Sequence, residues 1–176
     1  NQLQVVMKYL LLSILVIVIL CVGDFAQNTR DRSALLKGDE ARRLAKQCSR
    51  ESPDDFTDIW KPSVEEIKTM ERNLAQISKL RAKCCIEGVS IEDPGKWYLQ
   101  YAALVWKGRK VIYISAVGRQ QPTDWVLNSD GKTHKKVPND NWRVFAIVIC
   151  DGGNAWGVIY DPHSEKFSNL SVNGIG

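Results

Sequence analysis

Histidine is nearly missing from this chain: His134 and His163 are the only two, and no Cys-x-x-Cys spacing accompanies them. A structural zinc site needs four such ligands at close spacing, so the sequence offers no metal centre and calls for no cofactor. General acid–base chemistry is equally short of candidates. His134 lies in the basic run Lys132-Thr133-His134-Lys135-Lys136, which reads as a solvated loop, and His163 follows Asp161-Pro162 in a turn. Asp151-Gly152-Gly153-Asn154 lacks the following helix of a phosphate cradle and the carboxylates of a calcium loop, so it reads as a hairpin turn. Asp54, Asp55 and Asp58 fall in one polar loop and call for no ion. A large excess of one charge is also missing. With 24 Lys and Arg against 20 Asp and Glu, the net charge of +4 is spread among acids, and no nucleic-acid-binding motif accompanies it. Nor is there an apolar run of the roughly 20 residues that a spanning helix needs.

What is present begins with a leader. From Met7 the chain reads Met-Lys-Tyr, and Leu10 to Val22 is apolar except for Ser13. A short basic stretch followed by about a dozen apolar residues has the proportions of a secretory signal. Residues 1–26 are therefore expected to be a signal peptide or N-terminal anchor, with the true start at Met7 and cleavage after Gly23 or Ala26. Contact with a membrane is expected only through an uncleaved leader. The implied location is periplasmic or secreted, where disulfides persist.

Beyond the leader stand Cys48, Cys84, Cys85 and Cys150. Four cysteines allow three pairings. Direct closure of the neighbours Cys84 and Cys85 is disfavoured by the small ring it makes, so one of the two is expected to meet Cys150 and Cys48 to take the other.

Residues 27–59 are polar, with a helical stretch near Ser33 to Cys48 and a loop from Ser49 to Asp58. The domain proper is expected over 60–176. Ser63 and Glu66 form a capping box, after which Val64, Ile67, Met70, Leu74, Ile77 and Leu80 recur at steps of three and four. That spacing predicts one long amphipathic helix. Strands are expected at Trp97–Trp106, Lys110–Ala116, Trp125–Leu127, Trp142–Cys150, Ala155–Tyr160 and Phe167–Val172, with a tight turn at Lys107-Gly108-Arg109. The fold class is α+β: an antiparallel hairpin meander of four to five strands, one face covered by the long helix and the other left for a ligand or partner.

The strands carry an unusual number of aromatic rings, and the whole chain has six Trp. Alternation puts Trp156, Val158 and Tyr160 on one face, and Trp97, Leu99, Tyr101 and Ala103 opposite Tyr98, Ala102, Leu104 and Trp106. Aromatics on both faces leave two readings: a second apolar layer, or a groove for a ligand or protein formed by Trp97, Tyr101, Trp142, Trp156 and Tyr160.

The string Cys150-Asp151-Gly152-Gly153, Trp156-Gly157-Val158, Tyr160-Asp161-Pro162, Phe167, Leu170 and Asn173-Gly174, with Trp60-Lys61-Pro62 and Gly108-Arg109 before it, resembles a family of small secreted bacterial proteins of unknown function. The resemblance covers residues 58 to 176. It implies export and a compact α+β domain, and it carries no activity. The function expected is that of an exported, non-enzymatic binding protein that recognises or inhibits another exported protein or takes a small ligand. The alternatives are a small hydrolase using Cys150, Asp151 and His163, and an envelope component anchored by its leader.

Overall fold

The computed structural model describes residues 31–127, 134–150 and 155–174. The leader and the Asp151–Asn154 turn lie outside the described residues. From Arg32 onward the chain is one compact unit, and no described helix is long and apolar enough to cross a membrane.

The architecture is α+β, built on a six-stranded sheet. Strand β1 (Ser33–Leu35) is followed by helix α1 (Gly38–Leu44), the two-residue strand β2 (Asp58–Ile59) and helix α2 (Val64–Arg72). Then come β3 (Tyr98–Trp106), β4 (Arg109–Gly118), the hairpin pair β5 (Thr123–Leu127) and β6 (His134–Pro138), and finally β7 (Trp156–Asp161) and β8 (Lys166–Val172). The main sheet runs β1-β3-β4-β7-β8, with β2 beside the far end of β3, while β5 and β6 form a separate two-stranded sheet. The β3–β4, β4–β7 and β7–β8 pairs are antiparallel, as a meander requires. The β3–β4 turn is two residues long, and both Lys107 (φ 50°) and Gly108 (φ 73°) sit in the left-handed region that tight hairpins demand.

The polar segment before residue 60 enters the domain. Leu99 N–H donates to Arg32 O (2.7 Å) and Leu36 N–H to Tyr101 O (2.9 Å), so β1 lies parallel to β3 as an edge strand. The helix expected from Ser33 to Cys48 is therefore confined to Gly38–Leu44.

The long helix is also divided. The capping box forms as expected: Glu66 N–H donates to the Ser63 hydroxyl, and the Ser63 N–H donates to the Glu66 carboxylate (2.6 Å). These backbone and hydroxyl bonds from Ser63 hold the Glu66 carboxyl below its ordinary pKa against a small opposing effect of burial. The α-helix then stops at Asn73, and Leu74–Lys79 continues as a 3-10 helix. Leu74, Ile77 and Leu80 recur at steps of three, which match the three residues per turn of a 3-10 helix. Met70, Leu74 and Ile77 are buried as the spacing predicts, but Val64 at the helix start is exposed.

Both faces of the sheet are covered. On the first, α2 and the 3-10 segment close over Leu99, Tyr101, Ile112, Ile114, Trp156 and Val158. On the second, α1 supplies Ala41 and Leu44 against Ala102, Leu104, Val111, Tyr113 and Ile159. The alternation read from sequence is the one observed, and the second apolar layer takes the face expected to be left for a ligand.

The Trp142–Cys150 strand does not form. Asp140–Arg143 is a 3-10 turn, and 144–150 runs without a strand partner. Both sides of β7, where a hairpin partner would pair, are taken by β4 and β8.

The cysteines pair as Cys48–Cys150 and Cys84–Cys85, not across the two groups as expected. Cys48 leaves α1 on the second face, where residues 142–150 also lie, and this puts it within reach of Cys150. Cys84 stands instead beside β8, bridged to Ser171.

Next to the first disulfide, the Arg50 guanidinium is buried with three neutral acceptors: the Tyr113 hydroxyl (3.1 Å), Asn173 Oδ1 (2.5 Å) and the Ser115 hydroxyl (2.7 Å). Burial pushes the Tyr113 phenol above its usual pKa, and the neighbouring Arg50 charge offsets part of that shift. Gly157 makes room for this node. A Cβ there would meet the Tyr113 hydroxyl at 2.5 Å and Arg50 Nε at 2.9 Å. Gly157→Ala is therefore expected to lower stability by about 1–3 kcal/mol, read from the urea midpoint at constant slope; an unchanged midpoint would show that the node yields freely.

Candidate interaction surface

The residues 142–150 read as a strand, and the sequence around them explains why they are not one. Gln100 sits mid-strand on β3, fully buried on the second face. A buried amide must find partners for two donors and an acceptor. Gln100 finds them in the backbone of this segment. Its Nε2 donates to Trp142 O (2.5 Å) and Phe145 O (2.7 Å), and its Oε1 accepts from Ile147 N–H (2.8 Å). Gln47, just past α1, repeats the arrangement: Nε2 donates to Leu44 O (2.9 Å) and Ile147 O (3.3 Å), while Oε1 accepts from Ile149 N–H (3.2 Å). Glu40 accepts from Ala146 N–H (2.6 Å). Side-chain amides thus take the place that a neighbouring strand would hold.

The outer side is different. Ala146 C=O and both backbone groups of Val148 make no hydrogen bond among the described residues. Alternate residues with unpaired backbone groups are what the edge of a sheet presents to a further strand. The side chains add apolar surface. Val144 is 58% and Phe145 53% exposed, and Ile147, Val148 and Ile149 are half-buried. The inner end is anchored by Trp142, whose ring meets Tyr98 edge-on at 5.3 Å and lies under the Arg143 guanidinium at 4.7 Å.

The aromatic residues expected to form a groove are inside the molecule. Trp97, Tyr101, Trp142, Trp156 and Tyr160 are all at least nine-tenths buried. Trp97 and Trp156 pack edge-to-face at 5.8 Å, and Tyr160 packs against Phe167. Tyr101 donates to the buried Glu71 carboxylate (3.3 Å), which also accepts from the Ser33 hydroxyl (2.8 Å). Burial, then the Glu71 charge, push the Tyr101 phenol well above its ordinary pKa. This pair ties α2 to β3 and β1. Of the five aromatics, Trp97 also lines an open depression of ≈ 740 Å³ with Gly118, Arg119 and Gln120, where the Arg119 guanidinium stands 5.3 Å from the Trp97 ring.

A smaller hollow of ≈ 360 Å³ lies beside the β3–β4 turn between Glu51, Asp54, Asp55, Trp106 and Lys107. Its groups already engage one another: Trp106 Nε1 donates to Asp55, and the Lys107 ammonium lies 4.2 Å from the Trp106 ring centre.

Cys150 and His163 are not brought together. Cys150 is bonded to Cys48, and Ser49 O accepts from Gly174 N–H (3.0 Å) at the start of β7 and end of β8. His163 stands in the exposed turn at the other end of β7, where its N–H donates to Asp161 Oδ1 (2.9 Å). Six strand residues separate those ends by roughly 20 Å. Asp151 lies outside the described residues, as does any contact it makes. Among the described residues, no group of three His, Cys, Asp or Glu could hold a metal ion.

Sequence reasoning missed Gln100 and Gln47. The signal was a single polar residue interrupting the apolar run Trp97–Trp106, which in a strand buried on both faces has to bond something. No protein-family model matches the chain, and neither a curated protein nor a solved structure is significantly similar to it.

Replacing Gln100 by Leu keeps the volume but leaves two carbonyls and one N–H without their partner. The expected loss is about 1–3 kcal/mol in urea denaturation, the cost of unsatisfied buried polar groups. A variant as stable as the parent would mean that the amide does not hold the segment.

Proposed function

We propose that this protein is a non-enzymatic, extracytoplasmic interaction module that takes up an extended segment of another exported protein along residues 144–149. The observation that carries this reading is the coincidence of backbone groups without a hydrogen bond among the described residues (Ala146 C=O, Val148 N–H and C=O) with an exposed apolar surface at Val144 and Phe145. Strand addition uses both features: main-chain bonds give affinity, and alternate side chains give specificity. The edge is held rigid from behind by Gln100, Gln47 and Glu40, so little ordering remains when a partner strand adds to it. Two disulfide-bonded cysteine pairs are compatible with an oxidising compartment. Its partner is a protein chain, and the backbone of 146–148 recognises its conformation rather than one particular side chain.

A photo-crosslinking amino acid at position 145, installed in the full chain in the cells that make it, tests the reading. The expected product is a heterologous adduct with an exported protein, reduced at least tenfold when Val148→Pro removes the central donor. Lys166, exposed at the start of β8, is the control position. An adduct with a second copy alone, or yields at 145 no higher than at 166, would overturn the proposal.

A further inference from the structure

The two disulfides do different work, and the second has no structural task that its position would explain. Cys48–Cys150 joins residues 102 positions apart. Closing a loop of that length removes much of the denatured chain's entropy and so favours the fold. Cys84–Cys85 joins neighbours and encloses no residue between them. The same entropic account gives it almost nothing, because the peptide bond already holds the two together.

Its surroundings are those of an accessible group. Cys85 is exposed and Cys84 half-buried. They stand in a small loop closed at its base by Ala82 N–H to Val89 O (2.8 Å) and Gly88 N–H to Ala82 O (3.0 Å), a base that does not need the sulfurs. Cys85 has φ 74°, a left-handed conformation that an L-residue other than Gly, Asn or Asp seldom adopts without a constraint. The loop is coupled to the end of the sheet. Lys83 N–H donates to Leu170 O (3.0 Å), Val172 N–H donates to Cys84 O (3.4 Å), and a Cβ added at Gly174 would meet the Cys85 Cβ at 3.7 Å.

We infer that Cys84–Cys85 is a thiol–disulfide exchange site whose reaction partner is a dithiol. The dithiol's thiolate attacks the exposed Cys85 sulfur. The Cys84–Cys85 bond breaks, Cys84 leaves as a thiolate and takes up a proton, and a mixed disulfide forms at Cys85. The second thiol of the partner then attacks its own sulfur in that mixed disulfide and releases Cys85. Two electrons and two protons pass to Cys84 and Cys85, and the partner is left as its own disulfide. Cys85 is then free to leave the left-handed region, and the change reaches β8 through the Cys84 carbonyl. This inference stands apart from the proposed interaction surface and does not depend on it.

Titration of the folded full-length protein with dithiothreitol as the model dithiol, followed by alkylation and peptide mapping, tests it. The expected result is two alkylated sulfurs, both in the peptide containing Cys84 and Cys85, at a midpoint at least about tenfold below that for opening Cys48–Cys150. Amide resonance shifts should be confined to residues 82–89 and 170–174. The Cys84→Ser/Cys85→Ser double variant should keep its Tm within about 2 °C, as expected of a bond without loop entropy, and should show no spectral response to low dithiothreitol. Opening of Cys48–Cys150 first, reduction of Cys84–Cys85 only in urea, or a large loss of Tm in the double variant would each overturn the inference.

Discussion

A single buried amide organises the second face of this fold. Gln100 lies where the β3 pattern calls for an apolar side chain, and in the interior its polar atoms must be bonded. It bonds the backbone of Trp142, Phe145 and Ile147, and that fixes where the long connection between β6 and β7 runs. Once the connection is laid across the sheet, Trp142 and Ala146 become part of the core, Gln47 and Glu40 can reach it from the α1 side, and Cys150 arrives beside Cys48. The open groups are the consequence: the amides satisfy Ile147 and Ile149, Glu40 takes the Ala146 N–H, and Ala146 C=O and both backbone groups of Val148 are left without a hydrogen bond among the described residues.

The same economy of neutral partners appears at Arg50. Its guanidinium is held by a phenol, a hydroxyl and an amide oxygen, with Gly157 opening the space that this arrangement needs. The node joins the segment after Cys48 to β4, β7 and the end of β8. Together with the Cys48–Cys150 bond it locks the residues before 60 onto a sheet formed mostly by residues after 97. The domain therefore begins near Arg32, well before the expected boundary at residue 60.

Much of the fold was legible from local pattern. The capping box at Ser63, the Lys107-Gly108 turn and the alternation along Trp97–Trp106 each state their structure within a few residues, because caps, tight turns and pleated faces are local constraints. What the sequence did not reveal depended on distant partners. Val144 to Ile149 has the composition of a strand, and only the pairing of β7 with both β4 and β8 shows that no neighbour is available there. Ser33–Leu35 is too short for its alternation to register, yet it pairs with β3. Trp97, Tyr101, Trp156 and Tyr160 stand on the face that alternation gives them, whereas Trp142 lies in a 3-10 turn, and whether a face is covered depends on α1 and on 142–150, whose positions are long-range facts. The cysteine pairing departs for a different reason: the small ring argues against direct closure of Cys84 and Cys85, and excluding that pair also excludes Cys48–Cys150.

Amide hydrogen exchange of the free protein at Ile147, Val148 and Ile149 tests the central claim most directly. If side-chain amides hold the inner edge and nothing holds the outer one, Ile147 and Ile149 should be protected while Val148 between them exchanges at close to the rate of an open chain. Equal protection at all three would place the segment inside a sheet, and equal lack of protection would show that Gln100 and Gln47 do not hold it; either result contradicts the account.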